Sequence, residues 1–160
     1  MSLQRFCERS LITISPEQTV VEACQRLYEK NVGCLLAVEN GRLKGILTDR
    51  DIALKVTREK KDAQQTKVRD VMTPNPIAIS VNRKLSDLTT LMHAHHVRRV
   101  PIIDTNDAVI GLVTLDDLLV LLGNEMVDMR ETVTGTLFSK PAPIEHLEAT
   151  IPLDWITSYL

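Results

Sequence analysis

At 160 residues the chain is about one domain long, and 44% apolar with 25% charged residues suits a single sizeable core under a polar surface. Nineteen Lys and Arg against 21 Asp and Glu leave a net charge of −2, so no basic field points to nucleic acid, and 3% aromatics are too few for a base-stacking surface. Three cysteines (Cys7, Cys24, Cys34) without CxxC spacing point to reduced, buried thiols in a cytoplasmic protein rather than a disulfide frame or a zinc site.

Residues 1–9 are a lead-in; Met1 to Glu8 carries Arg5 and Glu8 and has no apolar centre, so it does not read as a signal peptide. Val20, Ala23, Cys24 and Leu27 then recur at helical spacing. Thr19-Val20-Val21-Glu22 opens that helix as a capping box, with Thr19 accepting from a first-turn amide while Glu22 reaches back. Two short apolar runs, Cys34 to Val38 and Leu43 to Leu47, flank Asn40-Gly41, a strong hairpin signal because both residues tolerate positive φ. A helix is expected from about Asp49 to Val56, and the charged stretch Thr57 to Lys67, with Lys60-Lys61 solvated, reads as a linker or frayed helix end. The pattern then returns as a helix near Leu85 to His96, strands at Arg99 to Ile103 and Ala108 to Val113, and a helix from Leu115 to about Met129. The apolar run Leu118 to Leu122 inside it is far too short to span a bilayer. Beyond Arg130 come Pro141, Pro143 and Pro152, an amphipathic stretch at Ile144 to Leu147, and Phe138, Trp155 and Tyr159.

The return is a true repeat. Thr13 to Glu39 matches Ala78 to Asp104 at an offset of 65, with Val20 on Leu85, Ala23 on Leu88 and Leu27 on Met92. Thr105 is one extra residue in a polar turn, after which Gly45-Ile46-Leu47-Thr48 meets Gly111-Leu112-Val113-Thr114 at an offset of 66. The expected fold is therefore α/β of the mixed α+β kind: two pseudo-symmetric βαββα units packed as one module. The units fall at 10–57 and 68–125, with a linker at 58–67 and an extension at 126–160.

Each copy carries Gly-x-x-Thr-x-x-Asp, at Gly45/Thr48/Asp51 and at Gly111/Thr114/Asp117. Between a strand and a helix this is a helix start, with Thr as cap and Asp near the positive end. The Gly permits close packing or a bulge. The same geometry also suits a ligand, because a carboxylate there can accept both hydroxyls of a ribose. Both readings stand at this point.

The run Asp70-Val71-Met72-Thr73-Pro74-Asn75-Pro76 resembles the opening of a cystathionine-β-synthase-type (CBS) domain. So do Val97-Arg98-Arg99-Val100-Pro101-Ile102-Ile103-Asp104 and Gly111 to Leu119, and in the first copy Val32 to Val38 and Gly41 to Ala53. The resemblance covers roughly residues 10 to 125, and nothing outside that span looks like an attached enzyme.

A CBS pair implies a non-catalytic regulatory module for an adenosine-containing ligand: AMP, ADP, ATP, NAD or S-adenosylmethionine. No obligatory cofactor is implied. The resemblance assigns the ribose to Thr48 with Asp51 and to Thr114 with Asp117, and phosphate to Arg98 and Arg99, with His96 beside them. Thr13, Val32, Gly33, Cys34 and Ala78 would line the adenine. The first copy has Gly33-Cys34 where the second has Arg98-Arg99, and Leu36 where the second has Pro101, so the two clefts should not hold phosphate equally. The resemblance further implies a homodimer packed through amphipathic helices, here Leu118, Leu119, Leu121 and Leu122, while the charge balance and the short apolar runs point to no nucleic-acid or membrane partner. A protein partner could dock on the C-terminal extension.

Other constellations are weaker. His93, His95 and His96 suggest a metal, but His93 and His96 share a helical face while His95 points elsewhere, and no Cys or carboxylate completes a set. The first copy has Tyr28, Lys30 and Asn31 there, which favours a polar helix end and no metal. Cys34 with any His lacks an orienting third group. The alternatives to a ligand sensor are a structural or protein-interaction module and, less well supported, a small enzyme.

Overall fold

The computed structural model describes residues 3–7 and 11–137. A 3₁₀ turn, Leu3–Phe6, precedes strand β1 (Thr13–Ile14), helix α1 (Val20–Lys30), strands β2 (Cys34–Glu39) and β3 (Arg42–Thr48), and helix α2 (Asp49–Ile52). A π turn, Ala53–Thr57, continues α2, where the periodicity predicts α-helix throughout. The second half runs α3 (Val68–Val71), β4 (Thr73–Pro74), β5 (Ile79–Ser80), α4 (Leu85–His95), β6 (Arg99–Ile103), β7 (Val109–Thr114) and α5 (Leu115–Leu137). Helix α5 continues two turns past Met129, where the periodicity places its end. Phe138, Trp155, Tyr159 and the stretch Ile144 to Leu147 lie outside the described residues.

Both sheets share one plan. In the first, β1 pairs parallel with β2, β2 antiparallel with β3, and β3 antiparallel with β4; in the second, β5 pairs parallel with β6 and β6 antiparallel with β7. The first hairpin turns on Asn40 and Gly41 at φ 51° and 76°, the mirror-image turn whose twist suits two strands. The second absorbs Thr105 in a longer turn, where the Asp104 carboxylate accepts from the Asn106 and Ala108 amides at 2.8 and 2.9 Å. The α1 capping box forms as predicted: Glu22 Oε2 accepts from the Thr19 amide at 2.6 Å and Thr19 Oγ1 from the Glu22 amide at 3.3 Å. Both long helices of the repeat end in left-handed residues at matching positions, Asn31 and His96, so His96 is a helix cap.

The segment read as linker is ordered. Its carbonyls at Thr66 and Ala63 accept the α1 first-turn amides of Val20 and Val21, which a helix start leaves without partners. It also leads into an exchange of covers. Val68 and Val71, which the repeat assigns to the second copy, are buried in the first copy's core with Ile14, Val20, Ala23, Leu27, Leu35, Ala37, Leu47 and Val56. Conversely, the Leu3–Phe6 turn, matching Val68–Val71 at the same offset of 65, packs on β7 of the second copy. The glycines of the two Gly-x-x-Thr-x-x-Asp stretches make this approach possible. A Cβ on Gly45 would lie 2.3 Å from Met72 Sδ, and one on Gly111 would lie 3.1 Å from the Phe6 carbonyl oxygen. Both also sit at a one-residue irregularity of their hairpin, between Ala37 and Val38 and between Ile102 and Ile103.

Chain contacts define two bodies, Met1–Leu119, which holds both repeats, and Val120–Leu160, whose described part is the continuation of α5. Of the thiols expected to be buried, only Cys34 is; Cys7 is half-buried and Cys24 exposed. The reason for Cys24 is that the α1 core stripe is narrow, closing on Val20, Ala23 and Leu27. Among the described residues no helix is long and apolar enough to cross a membrane.

Candidate functional site

Two cavities, related by the repeat, lie where the copies meet. The first, about 270 Å³, is walled by Leu11 and Ile12 before β1, by Val32, Gly33 and Cys34 at the entry to β2, and by Leu36. Its far side is Leu112, Thr114 and Asp117, from the end of β7 and the first turn of α5, and Arg99 completes it. The second, about 320 Å³, has Pro76 and Ile77 for Leu11 and Ile12, Val97 for Val32, Ile46 for Leu112 and Thr48 for Thr114, together with Thr73, Asn75 and again Arg99.

The Thr-Asp pairs adopt one geometry. Asp117 Oδ2 accepts from the Thr114 amide at 2.8 Å and the Thr114 hydroxyl at 2.6 Å, while Thr114 Oγ1 accepts from the Asp117 amide at 3.2 Å. Thr48 and Asp51 repeat this at 3.0, 2.6 and 3.1 Å. The capping reading is thus realised twice, and it holds each carboxylate in one place. The pairs differ beyond it. Asp51 Oδ1 is engaged by the Lys55 ammonium at 2.8 Å, and Lys55 also donates to the Val71 carbonyl. The matching residue in the second copy is Leu121, which offers no such ion pair, and Asp117 lines its cavity. Burial pushes the Asp51 carboxyl up, but the hydrogen bonds from Lys55 and Thr48 together hold it below the usual aspartate value.

The structure separates the residues assigned to phosphate. Arg99 lines both cavities, and its Nη2 lies 3.4 Å from where a Gly33 Cβ would stand. Arg98 and His96 instead line a different groove with His93, and Arg98 Nη2 lies 3.8 Å from Asp116 Oδ1. Arg98 lies in the bend before β6, whereas Arg99 is the first residue of that strand. Thr13 and Ala78 sit beside the cavities without lining either one. The Thr13 carbonyl accepts from Arg26, and Ala78 lines a shallow concavity with Arg42 and Asp107. Sequence reasoning missed Leu11, Ile12, Leu36, Leu112, Pro76 and Ile77 as lining; the repeat offset pairing Leu11-Ile12 with Pro76-Ile77 was the available signal.

Burial pushes the Cys34 thiol up, opposed by the Arg99 charge, so the group is held neutral and makes a poor nucleophile. The His93 and His96 ring centroids stand 6.4 Å apart, and among the described residues no three His, Cys, Asp or Glu gather to hold a metal.

The repeated unit agrees with what a family model finds: the CBS domain matches residues 3–58 and again 68–124. The chain belongs to the CBS domain family. Among relatives of this CBS pair, the CBS domain-containing protein YhcV of Bacillus subtilis is 46% identical over 108 residues, 68% of this chain and 76% of the relative. The inosine-5'-monophosphate dehydrogenase of Methanocaldococcus jannaschii is 34% identical over 112 residues, 69% of this chain but 21% of the enzyme, so the match falls well short of that protein's whole length. Among solved structures, the CBS domain pair of protein MJ0100, in complex with 5'-methylthioadenosine and S-adenosyl-L-methionine, superposes with a TM-score of 0.69 at 26% identity. That match covers 78% of this chain and 98% of the other.

Proposed function

We propose that this CBS pair is a non-catalytic regulatory module that binds an adenosine-containing ligand between its repeats and signals by a change in their packing. The observation that carries this is the first cavity, where a fixed carboxylate, an apolar slot and a guanidinium converge on one space. Asp117 and Thr114 hold the ribose hydroxyls, Leu11, Ile12, Leu36 and Leu112 with the Val32–Cys34 main chain take the adenine, and Arg99 meets phosphate or another anionic group. The second cavity uses Thr48, with Asp51 behind it. Arg98 and His96, lying elsewhere, are secondary candidates for phosphate. The 26%-identical CBS pair complexed with methylthioadenosine and S-adenosylmethionine supports an adenosine ligand. Candidates are AMP, ADP, ATP, NAD and S-adenosylmethionine, acting as a regulatory ligand in a cytoplasmic setting.

The test is a thermal-shift and calorimetric screen of those five compounds against their guanosine counterparts. A ligand at one hundred times its dissociation constant stabilises by about 2.7 kcal/mol, a rise in Tm of roughly 5–10 °C for a chain of this size. No shift with any of them would favour a structural or protein-interaction module.

The homodimer belongs to the same proposal. On α5, Leu119, Leu122, Met126, Met129 and Val133 alternate three and four apart and are 51–66% exposed, the seam of a two-stranded coil. In a parallel pair Glu125 and Arg130 take the flanking positions that face each other across the seam. Leu121, expected on this face, is buried and excluded from it. Light scattering should show a dimer, and Leu122→Glu with Met126→Glu should give a monomer. Residues 126–133 thus carry part of this dimer face, and a protein partner could dock on the extension at 126–160.

A further inference from the structure

The two cavities have ribose-side groups of their own, Thr114 with Asp117 and Thr48, but a single cation between them. Among the described residues Arg99 is the only Lys or Arg lining either cavity. Its Cα belongs to β6, beside Val97 and the second cavity, while its guanidinium terminus lies against Gly33, which lines the first. The first copy cannot supply an equivalent, because Cys34 occupies the matching position. Nor do nearby cations stand in. Lys55 is held by Asp51 and the Val71 carbonyl, Arg98 faces Asp116 in another groove, and Arg26 donates to the Thr13 carbonyl.

We infer that Arg99 is a shared anion anchor that couples the two cavities negatively, so that a chain holding one phosphorylated adenosine ligand binds a second much more weakly. This rests on the adenosine reading above and adds a rule of occupancy to it. A guanidinium that grips phosphate through two parallel N–H donors has its plane set by that phosphate, and it cannot present the same fork to a second. The second ligand then brings its charge into a cavity without a counter-charge and close to a bound anion. Adenosine, without phosphate, makes no demand on Arg99, and its two sites differ only as the cavities themselves differ.

The coupling is read from the ratio of the two stepwise dissociation constants of the full chain, measured by titration calorimetry with AMP and with adenosine. Losing a charge-assisted bond at the second site should make the AMP ratio about tenfold or more larger than the adenosine ratio. Arg99→Gln should weaken the tighter AMP site and bring the AMP ratio down to that of adenosine. Arg99→Lys, which keeps the charge and loses the fork, should fall between. Because Arg99 is exposed, both variants should melt near the parent temperature, and the parent chain alone already decides the comparison. AMP constants no further apart than those of adenosine, or a single adenosine site per chain, would overturn the coupling and leave the adenosine reading intact. Failure of every adenosine compound to bind would overturn both.

Discussion

The two copies of the repeat share a backbone plan and differ where chemistry is exchanged. In the second copy the Thr114–Asp117 pair stands at a cavity wall, and the residue four beyond Asp117 is Leu121. In the first, the residue four beyond Asp51 is Lys55, whose ammonium engages the carboxylate Oδ1 that Thr48 leaves. The arginine is distributed the other way, on β6 of the second copy, yet it reaches across to the first cavity. The caps, which each copy needs to start a helix, are thus alike in both copies, while the groups around them differ. The first cavity is lined by Asp117 and takes its cation from β6, while at the second the Asp51 carboxylate is engaged by Lys55.

The comparison breaks most visibly in the cores. Leu35 and Leu88 are fully buried, one in each copy, so Leu35→Ala and Leu88→Ala should each cost about 2–5 kcal/mol by denaturant unfolding. Because each lead turn covers the other copy, both variants should shift a single calorimetric transition. Two separable transitions would mean that the copies fold independently. Next come the glycines. Gly45→Ala forces the Met72 side chain aside, and Gly111→Ala presses on the Phe6 main chain, each at about 1–3 kcal/mol. Met72→Ala should rescue much of the first; Cys7→Ala or Ile102→Val should rescue only part of the second, since the Phe6 carbonyl oxygen stays in place.

Asp117→Asn should weaken an adenosine ligand about tenfold with little loss of stability, since the amide oxygen can still accept from the Thr114 amide. Asp51→Asn should do less to binding, its carboxylate being already engaged by Lys55. Equal losses would erase the proposed difference between the cavities. A smaller effect concerns the helix starts. Lys84 holds the extended backbone that Thr19 holds in the first copy but has no oxygen to cap with, so Lys84→Thr should stabilise by about 0.5–1 kcal/mol.

The least of the five is a pH effect. The Thr19 amide, joined by Gln18 and the Thr19 hydroxyl, lowers the Glu22 carboxyl from its ordinary 4.5 to about 2. A carboxyl depressed by folding stabilises above its unfolded pKa, and that contribution is lost as pH falls from about 4.5 toward 2. Glu22→Gln should remove this part of the acid slope. An unchanged slope would show that the exposed box contributes nothing measurable.

The repeat, the hairpin at Asn40-Gly41, the α1 capping box and both Thr-Asp pairs were legible in the sequence, because each depends on residues a few positions apart acting through fixed local geometry. Period, spacing and φ preference suffice for such features. The exchange of lead turns was not legible. Leu3–Phe6 and Val68–Val71 carry the same short apolar signal, and only closure of the chain decides which sheet each one covers. The parting of Arg98 from Arg99 was not legible either, since the two look alike in a sequence and only the fold leaves one in the bend before β6 and puts the other in the strand. The shared Arg99 needed more still. A side chain that reaches from one repeat to the cavity of the other has no sequence period, and its role exists only once tertiary packing has brought Gly33, Cys34 and Arg99 to one wall.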